Sequence, residues 1–98
     1  MTLEIKKNLN ETSIRVVGRL DSFTTPVLEK MISKNSPGAE CIVLDLSGVE
    51  SVSEAGLKIL LDVNEKIQPA SALKLTGVKE GVMNAFITNG CVDAFAIN

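Results

Sequence analysis

A chain of 98 residues, 45% of them hydrophobic, suffices for one domain with a real core and is too short for two. A net charge of −2, no Lys/Arg block and only three aromatic residues, all Phe, argue against nucleic-acid binding and make the core aliphatic. The absence of histidine removes the commonest general base and metal ligand, which counts against a hydrolytic enzyme or a resident metal.

Leu3 and Ile5 alternate with Glu4 and Lys6, the pattern of a half-buried strand. Asn8 to Glu11 reads as a turn, and alternation resumes from Thr12 to Leu20, with Ile14 and Val16 set against Ser13 and Arg15. The two strands form an antiparallel hairpin. Gly18 marks either a bulge or a close backbone approach. Asp21 to Thr25 is polar apart from Phe23. Thr25 as N-cap and Pro26 at the first helical position start a helix, on which Val27, Leu28, Met31 and Ile32 share a face. Asn35-Ser36-Pro37-Gly38 ends it.

Cys41 to Leu46 is a nearly continuous apolar run, suited to a central strand. Ser47 to Glu54 is small and polar and reads as a loop. A helix over Glu54–Ile67 turns Gly56, Ile59, Leu60, Val63 and Ile67 toward the sheet and Lys58, Asp62, Glu65 and Lys66 away. Leu57 and Leu61 fall on a flank between these faces. They either pack against another helix or form a partly exposed docking strip beside charges. Its start admits two caps: Ser51, in a Ser-x-x-Glu box, or Ser53 with Glu54 in the first turn. Gln68-Pro69-Ala70 closes this helix.

A short strand follows at Leu73–Thr76, then a helix over Glu80–Thr88 with Val82, Met83, Phe86 and Ile87 on one face, stopped by Asn89-Gly90. Val92 to Ile97 predicts a last strand. Cys41 and Cys91 fit no metal spacing and predict no structural disulfide. Met1 to Asn8 lacks the character of a signal peptide, and no apolar run is long enough to span a bilayer, so a cytoplasmic location without membrane insertion is expected. The order β-β-α-β-α-β-α-β predicts an α/β fold with a four- or five-stranded mixed sheet and helices mainly on one face, spanning residues 1–98 as a single domain.

Asp45-Leu46-Ser47-Gly48-Val49, a short spacer and Gly56-Leu57-Lys58-Ile59-Leu60-Leu61 resemble the core motif of STAS domains, and Gly18 to Leu28 is similar to that family's second strand and first helix start. The family includes the bacterial anti-sigma factor antagonists. The resemblance covers nearly the whole chain. It implies a non-enzymatic module without cofactor that binds an anti-sigma factor kinase and so releases a sigma factor. Rival readings are a STAS subunit of a lipid-transport or stressosome-like complex, or a small-ligand-binding STAS domain. The antagonists carry Asp-Ser-Ser-Gly or Asp-Ser-Thr-Gly before the Gly-Leu pair, and the first Ser is phosphorylated. Here Ser53-Glu54-Ala55-Gly56 stands in its place, so Glu54 occupies the phosphoserine position. Ser53 and Ser51 are the nearest remaining phosphate acceptors. Asp21 matches an upstream Asp near the phosphorylation loop. The implied partner-binding set is Asp21, Ser53, Glu54, Leu57, Lys58 and Leu61, whereas Asp45 is structural, receiving backbone N–H groups from its loop.

Overall fold

The structure, a computed structural model, describes residues 1–68 and 70–97. The elements are β1 (Thr2–Lys7), β2 (Glu11–Leu20), α1 (Thr25–Asn35), β3 (Cys41–Val52), α2 (Glu54–Ile67), β4 (Ala72–Thr76), α3 (Glu80–Thr88), a 3₁₀ turn at Val92–Ala94 and β5 (Ala96–Ile97). The five strands form one mixed sheet in the order β1-β2-β3-β4-β5. β1 is antiparallel to β2 and every other pair is parallel. The apolar run from Cys41 therefore lies at the centre.

Strand alternation decides which face is covered. Ile14 and Val16 of β2, Ile42, Leu44 and Leu46 of β3, and Leu73 and Leu75 of β4 point to one side and are buried. They meet Leu28 and Ile32 of α1, Leu57, Leu60, Val63 and Ile67 of α2, and Val82 and Phe86 of α3 in one cluster. Each such side chain, fully buried, contributes on the order of 1.5–3 kcal/mol. Phe86 stacks obliquely on Phe95, ring centroids 5.5 Å apart. The opposite face carries Glu4, Lys6, Arg15, Asp45 and Lys74 at the alternate positions and, among the described residues, has no helix over it.

Several expectations are corrected. β3 does not stop at Leu46 but runs on to Val52, pairing Val17 with Gly48, Gly18 with Val49, Arg19 with Ser51 and Leu20 with Val52. Two register shifts accommodate extra residues on β3, and these bulges break the period-2 pattern that would have announced a strand. Gly18 combines both readings offered for it. It lies at the second shift with φ +123°, and a Cβ there would come within 3.3 Å of the Met1 Cα. Val27 and Ile87 are exposed at 52% and 57%, because the buried stripes of α1 and α3 are narrower than four residues per pair of turns. The last strand is confined to Ala96–Ile97. Val92–Ala94 is instead a 3₁₀ turn, closed by an Ala94 N–H to Cys91 carbonyl bond of 3.0 Å. Cys41 and Cys91 are both free thiols, and burial pushes both pKa values up. Of the predicted α2 stop, Pro69 lies outside the described residues.

Candidate functional site

The site forms where β2 and β3 end side by side and hand the chain to α1 and α2. At the end of β2, Asp21 folds the chain back on itself. Its Oδ1 accepts the N–H groups of Phe23 and Thr24, each at 2.9 Å. In return, Thr24 Oγ1 accepts the Asp21 N–H at 3.0 Å, and the Thr25 N–H reaches the Asp21 carbonyl at 3.0 Å. The N–H groups of the turn are thus satisfied reciprocally, in the manner of a capping box displaced upstream of the helix. This corrects the expected N-cap. The N-cap is Thr24, which makes no side-chain cap bond, and Thr25 is the first residue of α1; Asp21 organises the turn that leads into it. Thr25 is fully buried, and its Oγ1 has no hydrogen-bond partner among the described residues. The N–H groups of Thr24 and Phe23, with the Thr24 hydroxyl and the Arg19 charge, hold the Asp21 carboxyl below its ordinary range, so it is ionised at neutral pH.

At the end of β3 the start of α2 has its own cap. Ser53 has extended backbone (φ −80°, ψ 164°), and its Oγ accepts the Gly56 N–H at 3.0 Å. Of the two caps offered by the sequence, Ser53 is therefore the one formed. Ser51 lies within β3 opposite Arg19 and makes no capping box. Glu54 is the first helical residue and is exposed, its charge favourably placed at the positive end of the helix dipole.

The two starts are joined by backbone. The Ser53 N–H donates to the Leu20 carbonyl at 2.8 Å. Gly56 lies so close to the end of β2 that a Cβ there would sit 2.5 Å from the Leu20 carbonyl oxygen and 3.0 Å from Thr25 Oγ1. Glycine is required here by contact, not by backbone angle. The Asp21 turn and the Ser53–Glu54 corner consequently form one surface. Asp45 is set apart on β3. Its carboxylate accepts the Ser47 N–H at 2.9 Å, and Ser47 holds its pKa down, as expected of a structural residue.

Asp21, Ser53 and Glu54 are thus brought together, with Lys58 exposed one turn further along α2. Leu57 is not part of this surface. It is only 3% exposed and lies in the core, because the flank of α2 that carries it is covered. Leu61 is half-buried and packs against the same core, so the expected exposed strip of Leu57 and Leu61 is reduced to an edge of Leu61. Reasoning from periodicity passed over Phe23, which is 86% exposed within the Asp21 turn. The available signal was Asp21 followed at the third position by Thr24, a pairing that fixes a turn and leaves the intervening side chains outside it.

The family model described as Mlab, STAS domain, matches residues 3–92. The chain is 24% identical over 100 residues to the anti-sigma-B factor antagonist of Bacillus subtilis (strain 168), covering 100% of this chain and 91% of that protein. Among solved structures it resembles an anti-sigma factor antagonist from Mycobacterium paratuberculosis, with a TM-score of 0.84, 25% identity, and coverage of 98% of this chain and 83% of that one. It also resembles the anti-sigma factor antagonist SpoIIAA in its unphosphorylated form (TM-score 0.80, 15% identity, 99% and 88% covered). A third is a serine-to-glutamate variant of RsbS from Moorella thermoacetica (TM-score 0.80, 20% identity, 100% and 86% covered). At these last two identities the likeness is one of fold. Among the described residues no helix is long and apolar enough to cross a membrane.

Proposed function

We propose that this chain, which belongs to the STAS domain family, is a non-enzymatic anti-sigma factor antagonist that binds an anti-sigma factor kinase and so frees a sigma factor. The observation that carries this reading is the joined surface at the ends of β2 and β3. There an ionised Asp21, in the turn before α1, and an exposed Glu54, at the capped start of α2, are held side by side, and Glu54 stands where the resemblance to the antagonists puts their phosphoserine. The interface takes in Asp21, Ser53, Glu54, Lys58 and the open edge of Leu61. Similarity to the Bacillus subtilis anti-sigma-B factor antagonist and to the Mycobacterium paratuberculosis antagonist supports it.

Glu54 sets the regulation apart. A carboxylate cannot accept phosphate, and it carries one charge where a phosphoserine carries about 1.5–2 and presents three acceptor oxygens. The partner surface is adapted to a permanent Glu54 through a Lys or Arg, and phosphate does not switch binding here. Affinity capture from a lysate of the source cells, with mass spectrometry, tests the partner: a kinase of the anti-sigma system supports the reading. Transporter components in its place would move the chain to the rival role of a subunit in a transport complex. Incubation with the captured kinase and ATP tests the switch. No phosphate on this chain is expected, Glu54→Ser is expected to become a substrate, and Glu54→Lys is expected to lose the partner. Stoichiometric phosphate on Ser53 or Ser51 would overturn the unswitched reading, and full binding by Glu54→Lys would remove this corner from the interface.

A further inference from the structure

Phe23 is held in water by a rigid turn. It is 86% exposed, while the N–H of the same residue is bonded to Asp21 Oδ1 at 2.9 Å and the reciprocal Asp21–Thr24 bonds close the turn around it. An aromatic ring left in water forgoes about 1.5–3 kcal/mol of burial, which contact with a partner would recover. Val27, in the first turn of α1, is 52% exposed, so a second apolar side chain stands open four residues further along the chain. The other highly exposed apolar side chain, Leu9 at 98%, stands at the β1–β2 turn at the opposite end of the sheet, between Asn8 and Asn10.

We infer that Phe23, supported by Val27, is the apolar anchor by which the chain engages its protein partner, entering an apolar pocket on the partner that is rimmed by Lys or Arg. Two features of the site select this occupant. The backbone that carries the ring is already fixed by the turn, and an aromatic side chain has only two torsions to lose, so its ordering cost on binding is small. Around it stand the ionised Asp21 and the exposed Glu54, which complement a cationic rim. A central aromatic beside paired charges is the arrangement that dominates binding energy at protein interfaces. The inference rests on the proposed partner site, and it adds to that site the side chain that supplies most of the affinity.

A photo-crosslinking residue, p-benzoylphenylalanine, placed at position 23, 54 or 9 and irradiated in the source cells, tests it. Positions 23 and 54 are expected to capture one and the same polypeptide, a kinase of the anti-sigma system by mass spectrometry, and position 9 is expected not to. Phe23→Ala should then lower recovery of that polypeptide at least about tenfold with an unchanged melting temperature, and Leu9→Ala should not. Capture from 54 without capture from 23 would overturn the anchor and leave the proposed function standing. Capture from both of a protein outside the anti-sigma system would overturn the proposed function and keep the anchor. Cross-links from 23 only to a second copy of this chain, or full recovery with Phe23→Ala, would also overturn it, and silence at both positions would overturn both.

Discussion

Gly56→Ala tests the geometry on which the site depends. The added Cβ would stand 2.5 Å from the Leu20 carbonyl oxygen, 2.8 Å from its carbonyl carbon and 3.0 Å from Thr25 Oγ1. Real Cβ contacts essentially never fall under 3.0 Å, and the nearest atoms are backbone, so α2 must move away from β2 by at least about 0.5 Å. Overpacking of this kind costs about 1–3 kcal/mol, whereas alanine in a helix gains up to about 1 kcal/mol over glycine. A net loss of about 1–2 kcal/mol is expected, and a melting point lower by roughly 4–8 °C per kcal/mol for a domain of this size. Urea titration followed by circular dichroism measures it. Gly81→Ala is the control: a Cβ there meets nothing within 4 Å, and in α3 it should be neutral or stabilising by up to about 1 kcal/mol. If Gly56→Ala is as stable as the parent while Gly81→Ala behaves as described, α2 does not abut β2 as closely as stated.

Leu57→Asp should abolish cooperative unfolding, since it buries an unpaired charge at a site 3% exposed, whereas Leu61→Asp should stay folded and weaken partner binding; equal behaviour of the two in a denaturant titration would refute the distinction. Leu60→Ala, at a fully buried position, should cost about 2–5 kcal/mol, and a loss well under 1 kcal/mol by the same titration would misplace the inner face of α2. Asp21 and Asp45 have lowered folded-state pKa values, so both bind protons more readily unfolded. Their contribution is complete above the ordinary carboxylate pKa of about 4 and is lost as pH falls through the lower folded values. Asp21→Asn should therefore flatten the decline of stability below about pH 4, and an unchanged acid limb in pH-dependent melting would show that the Asp21 turn holds no ionised carboxylate.

The parts of the fold legible in the sequence are those where one pattern runs without interruption. Glu54–Ile67 and Glu80–Thr88 repeat apolar residues at helical spacing, and both helices lie at the predicted residues. Cys41–Leu46 is apolar but for Asp45 and is central because both neighbouring strands pair with it. Where the pattern breaks, the chain still obeys tertiary contacts that a local pattern does not record. Ser47 to Val52 is polar and bulged, yet it pairs with β2, because the backbone of Val17 to Leu20 offers it a ladder. Leu57 lies between two faces on a helical wheel, and only the neighbouring packing determines its burial. At the site, residue type announced the Ser53 cap and the Glu54 charge. The exposure of Phe23 follows from the Asp21–Thr24 bonds, which no apolar periodicity encodes.

The head of α2 joins two tasks that pull on the same few atoms. A helix start must satisfy its first N–H groups, and it favours negative charge by about 0.3–1 kcal/mol. Ser53 does the first through the Gly56 N–H, and Glu54 does the second without interruption. A phosphorylatable serine at position 54 would supply charge only when modified, and then enough of it to disturb a docked partner. With glutamate the charge of position 54 does not await a modification, and the geometry of the corner is pinned by the Ser53–Leu20 bond and by the lack of a side chain at Gly56. A partner adapted to that corner meets the same surface at all times. Under the proposed function, release of a sigma factor would then depend on how much of the chain is present and how tightly the partner holds it, since phosphate can be neither added to nor removed from position 54.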